Sequence, residues 1–63
     1  MNPSQRLAAA LRVLHWSGRG LAAVLRTDER KVRRWASGVY EPPEAIVEWL
    51  ERLAAFHRKN PAP

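Results

Sequence analysis

Cysteine is absent from the 63 residues, which removes disulfides, thiolate zinc sites and a cysteine nucleophile from consideration. No run approaches the ~18 uncharged apolar residues of a membrane-spanning helix. The opening MNPSQR lacks a basic stretch leading into an apolar one, so no secretory signal is expected. Histidine is limited to His15 and His57, read as ordinary surface or edge residues and too few to build a metal site. Neither a glycine-rich phosphate loop nor a Ser/His/Asp arrangement can be assembled. Enzymatic activity is therefore not expected, nor a cofactor, a metal or a small-molecule ligand. Negative charge is scarce as well: six Asp+Glu face eleven Lys+Arg, for a net charge of +5. Of the partners that attract a cation, nucleic acid leads.

What is present suffices for a fold. Apolar residues make up 46% of the chain, too many for a fully disordered one. The length allows one small domain over residues 1–63, whose core must be simple because so short a chain buries only about 60% of its unfolded surface. The punctuation predicts an all-α bundle of four short helices, over about 3–16, 18–26, 29–37 and 43–59. Asn2 serves as N-cap of the first, with Pro3 at its first position. Leu7, Leu11 and Leu14, with Ala8 and Ala10 beside them, mark its apolar side. Ser17 caps the second helix, and Gly18 and Gly20 make its start loose or open to close approach. Asp28 caps the third, Glu29 suits its positive dipole end, and Gly38 closes it in the left-handed conformation.

Pro42 and Pro43 stiffen the connector to the fourth helix, and Asn60-Pro61 ends it. Ile46, Leu50 and Leu53 are expected as its core stripe. Val47 and Ala54 widen that stripe on one side, Trp49 and Phe56 on the other. Glu48 and Arg52 are spaced to pair. Glu41, Glu44, Glu48 and Glu51 are read as solvent-facing rather than catalytic.

The basic charge is unevenly spread. Residues 1–34 carry eight Lys+Arg against Asp28 and Glu29, whereas residues 35–63 carry three against four glutamates. On a helical wheel Val32, Trp35 and Ala36 form the buried stripe of the third helix. Arg30, Arg33, Arg34 and Ser37 share the opposite face, flanked by Glu29 and Lys31. Arginine's planar fork can grip guanine O6 and N7 in the major groove or clamp a phosphate. A solvated basic face that merely keeps the domain soluble is the plain alternative.

The segment Leu21-Ala22-Ala23-Val24-Leu25-Arg26-Thr27-Asp28-Glu29-Arg30-Lys31-Val32-Arg33-Arg34-Trp35-Ala36-Ser37-Gly38 resembles the helix-turn-helix of Cro- and phage-repressor-type (Xre-like) regulators. It aligns without a gap. Leu21-Ala22 opens the first motif helix, the turn falls at Thr27-Asp28, Val32 and Trp35 take the apolar slots, and Ser37-Gly38 closes the second. Two positions depart from the pattern: Arg26 stands at the usual turn glycine, implying an altered turn or a positive φ, and Thr27 stands where an apolar residue is common.

The resemblance implies a double-stranded-DNA-binding transcriptional regulator. Glu29, Arg30, Arg33 and Arg34 would face base edges, with Arg30 and Arg34 favoured for guanine. Glu29 either accepts from cytosine N4 or only favours the helix dipole. Asp28 is expected as a cap rather than a reader. Ser17, Gly18, Arg19, Lys31, Ser37, Gly38 and Tyr40 would contact phosphate, Tyr40 alternatively packing under the prolines. The resemblance further implies a prokaryotic or phage-encoded, cytoplasmic, nucleoid-associated repressor of its own operon. Regulators of this kind accompany phages and mobile elements, including antitoxins and repressors beside anti-CRISPR genes.

The wide apolar stripe of the fourth helix suggests a homodimer through Trp49, Leu53 and Phe56 on an inverted-repeat operator, unless the small core uses the whole stripe. The rival reading is a protein-interaction module, an antitoxin-like or adaptor domain on the same scaffold. No membrane partner is expected.

Overall fold

Three side-chain caps set where the helices begin. In the computed structural model, which describes Met1–Pro63, Asn2 Oδ1 accepts from the Gln5 amide at 2.8 Å, and Gln5 Oε1 accepts from the Asn2 amide at 3.0 Å. This reciprocal box starts α1, Pro3–Leu14. Ser17 Oγ accepts from the Gly20 amide at 2.9 Å and starts α2, Gly18–Leu25. Asp28 Oδ1 accepts from the Arg30 amide at 2.8 Å and starts α3, Glu29–Ser37. No side chain caps α4, Glu44–Lys59; Pro43 precedes it with its φ held at −58°. There are no strands, so the expected all-α bundle of four short helices is what forms.

The ends differ more from expectation than the starts. α1 stops at Leu14 rather than at residue 16, because His15 adopts the left-handed conformation with φ 59°. The Trp16 amide then donates back to the Leu11 carbonyl at 3.0 Å. α2 closes in the same way: Arg26 is left-handed with φ 54°, and the Thr27 amide donates to the Ala22 carbonyl at 2.9 Å. Thus Arg26 does take the positive φ that its place at a turn-glycine position implied. Only at Gly38, φ 87°, is this conformation free of a side-chain penalty. Arg26→Gly is accordingly expected to stabilise the domain by about 0.5–1 kcal/mol. Chemical denaturation reads this directly, and a lower midpoint for the glycine variant would contradict it.

One cluster of ten residues makes the core: Leu7, Ala10, Leu11, Leu21, Ala22, Val32, Trp35, Val47, Leu50 and Ala54. α1 packs on α4 along one side and on α3 along another, while α2 packs on α3. The buried stripe of α4 is Val47-Leu50-Ala54, rotated from the expected Ile46-Leu50-Leu53. Ile46 and Leu53 are half-buried at its edge. Phe56 is 68% exposed and does not widen the core. Trp49 is half-buried against Trp16, their ring centroids 6.3 Å apart. On α3 Val32 and Trp35 are buried as expected, but Ala36 is exposed. α3 has no third neighbour on that side to cover it. No polar or charged side chain is buried.

The polar flank of α4 does something the sequence did not suggest. Arg6 Nε and Nη2 donate to the two Glu51 oxygens at 3.0 and 2.6 Å, and Nη1 donates to Glu44 Oε1 at 2.9 Å. Glu44 and Glu51 therefore clamp α1 to α4 while staying open to solvent as expected, with 55% and 43% of their side chains accessible, and Glu48 and Arg52 form no ion pair. Hydrogen bonds from Arg6 hold the Glu51 carboxyl below its usual pKa of 4.5. A lowered folded-state pKa gives stability that is present above the unfolded value and is lost as pH falls through the folded one. Arg6→Gln should hence melt lower than the parent at neutral pH, and the gap should close as pH drops below about 4. Thermal melts across pH test this; a gap that stays constant into acid would place the effect of Arg6 elsewhere.

Candidate nucleic-acid interface

α3 is the helix whose outer face is left free. Its nine residues span about 14 Å, and only Val32 and Trp35 are buried. These two fix its rotation against α2 and α1. Arg30, Lys31, Arg33, Arg34 and Ser37 are consequently all exposed. Five basic side chains, counting Arg19 from α2, thus surround one short helix (Arg19, Arg30, Lys31, Arg33, Arg34).

Two grooves flank α3 and divide these residues. The first, about 540 Å³, lies where the start of α2 meets α3 and is lined by Ser17, Gly18, Arg19, Glu29, Val32, Arg33 and Ala36. It gathers five of the residues assigned to bases or phosphate. A Cβ added to Gly18 would meet Val32 Cγ1 at 3.6 Å, ordinary contact, so the packing of α2 on α3 does not require this glycine. Gly20 is tighter: a Cβ there would approach the Ser17 hydroxyl to 3.3 Å and crowd the cap.

The second groove, about 570 Å³, lies on the other side, between α3 and the connector, and is lined by Asp28, Arg30, Lys31, Arg34, Trp35 and Tyr40. Asp28 is occupied as a cap, as expected. Tyr40 is exposed rather than tucked under the prolines, and the Arg34 guanidinium lies 5.8 Å from its ring centroid. The Lys31 ammonium sits 5.8 Å from the Trp35 ring. Both cations are thereby steered by aromatic faces toward the groove without giving up their charge. Arg30 has no ion-pair partner within the chain.

Ser37 and Gly38 sit at the end of α3. The Ser37 hydroxyl donates to the Arg34 carbonyl at 3.2 Å, which leaves its oxygen lone pairs available. Trp49, Leu53 and Phe56 lie on α4, which packs on α1, and are not part of the α3 surface. They form a separate apolar flank.

Sequence reading missed three features. The first is the use of Glu29, whose carboxylate bridges Arg33 at 3.1 Å and Arg19 at 3.5 Å. Its spacing to Arg33 was a usable signal; its reach to Arg19 was not. The second is the pair of aromatic supports for Lys31 and Arg34. The third is that His15 and His57 meet edge to face with centroids 6.2 Å apart, across the end of α1 and α4. No helix is long and apolar enough to cross a membrane. Set beside known proteins, the chain matches no family model, no curated protein and no solved structure.

Proposed function

We propose that this chain is a sequence-specific double-stranded-DNA-binding regulator related in kind to the Cro- and phage-repressor-type proteins that its α2–α3 segment resembles. The observation that carries the reading is the free face of α3: Arg30, Lys31, Arg33 and Arg34 exposed together on a helix locked from behind by Val32 and Trp35. A helix fits the width of the major groove, and arginine is its commonest specific reader there. Cations and the first amides of α2 flank that face, where phosphate would lie against a helix N-terminus.

A monomer reading a few base pairs discriminates poorly. The protein therefore acts as a homodimer that places two α3 helices in successive major grooves about 34–36 Å apart, on an inverted repeat. Phe56, Leu53 and Trp49 supply the dimer contact, and the exposure of Phe56 favours this use of them. With occupancy following protein concentration, the biological role is repression of the protein's own operon in a prokaryotic cytoplasm or on a phage or mobile element.

A gel shift on the DNA just upstream of the protein's own gene tests the reading, at about 0.15 M salt with excess non-specific competitor. A discrete complex that survives competitor supports it. Binding that vanishes with competitor overturns it and leaves a basic surface for an acidic protein partner.

A further inference from the structure

Among the cations around α3, two are already engaged. Glu29 Oε1 accepts from Arg33 Nη2 at 3.1 Å, one turn along the same helix, and Glu29 Oε2 lies 3.5 Å from Arg19 Nε on α2. One carboxylate thus ties together two guanidiniums from two helices, at the rim of the groove that Ser17 and Gly18 also line. The cations across the helix, Arg30, Lys31 and Arg34, form no ion pair at all. The surface offered to a polyanion is therefore asymmetric. One edge is held by a carboxylate and the other is free.

We infer that Glu29 is a positioning residue that lowers sequence-independent affinity for duplex by restraining Arg19 and Arg33; this rests on the DNA-binding reading above. A phosphate that recruits either arginine must first take it from Glu29, and the freed carboxylate then faces the duplex with its own charge. Both effects weaken binding to arbitrary sequence. Arg30 and Arg34, which carry base recognition, are untouched by either. Glu29 therefore lowers the sequence-independent part of binding, the part carried by phosphate contacts. The bridge is exposed, with side-chain accessibilities of 38%, 69% and 84% for Glu29, Arg33 and Arg19. It is thus weak enough for a well-matched site to displace.

The test is fluorescence anisotropy of the full chain with a labelled duplex of randomised sequence, across a series of salt concentrations. Glu29→Gln is expected to bind this duplex about tenfold more tightly at low salt, with a log–log salt slope steeper by about one to two contacts. In an Arg19→Ala, Arg33→Ala background the same substitution should gain clearly less than tenfold, because the cations it releases are gone and only the carboxylate's own repulsion is relieved. A gain that persists undiminished without the arginines would mean that only the carboxylate's own charge matters, and the positioning role fails. Equal or weaker binding by Glu29→Gln, with the parent binding normally, also overturns it. A parent that binds no duplex at any salt removes the DNA reading itself, and this inference with it. As a measurement independent of the glutamine variant, Arg33→Ala alone should lose less affinity for random duplex than Lys31→Ala, since Lys31 also flanks the reading face but is tied to no carboxylate.

Discussion

Alanine at Arg30 or Arg34 is expected to cost about 1–3 kcal/mol on the protein's preferred duplex, roughly ten- to hundredfold in Kd, and to relax base preference at one position in each half-site. Both side chains lie on the groove side of α3 that carries no ion pair, and Arg34 is additionally held by the Tyr40 ring. Neither is buried, so the substitutions leave the core intact and the thermal midpoint should move little. Arg19→Ala provides the contrast. It sits on α2 with 84% of its side chain accessible, and its loss should weaken all sequences alike and flatten the salt slope. Quantitative titrations of matched and scrambled duplexes separate the two patterns. Equal, small losses for Arg30→Ala, Arg34→Ala and Arg19→Ala on both duplexes would argue against specific readout by α3.

Trp35→Ala should abolish the fold rather than weaken it. Trp35 is only 5% exposed and belongs to the ten-residue core. Truncating a buried tryptophan costs about 3–5 kcal/mol, through lost transfer energy and the cavity left behind. A single core in a domain of this size supplies no more than about 3–5 kcal/mol in total. The loss is also badly placed. α3 is anchored through Val32 and Trp35 alone, so a cavity there frees the helix whose rotation aims the arginines. Circular dichroism should show a cooperative melt for the parent and none for the variant. A variant that melted cooperatively within a few degrees of the parent would show that α1 and α4 hold the domain without this anchor. Trp35→Phe, which keeps most of the apolar volume, should retain the transition at a lower temperature.

What could be read along the chain was what neighbours within one helical turn decide. Asn2, Ser17 and Asp28 cap the helices they precede, and Gly38 closes α3, because each bond spans two or three residues and needs no tertiary partner. Val32 and Trp35 point inward while Arg30, Arg33 and Arg34 point outward because 3.6 residues per turn separate them whatever α3 packs on. The same period puts the α3 arginines of the candidate interface on its exposed side, although it also placed Ala36 inward, where the structure leaves it exposed.

The rotation of α4 was not. Its apolar residues cover more than one side, so Ile46-Leu50-Leu53 and Val47-Leu50-Ala54 are both acceptable stripes to periodicity. Contact with α1 chose the second and left Phe56 outside. The Arg6 clamp on Glu44 and Glu51 spans 38 and 45 residues, and the Trp16–Trp49 and His15–His57 contacts depend on the same crossing of α1 and α4. Glu29 belongs to both groups: its tie to Arg33 follows from helical spacing, but its tie to Arg19 exists only because α2 is packed across α3. Local hydrogen bonding and helical period act through the covalent chain and are written in it. Which faces meet, and which charges then come within reach, depends on how four short helices share one small core.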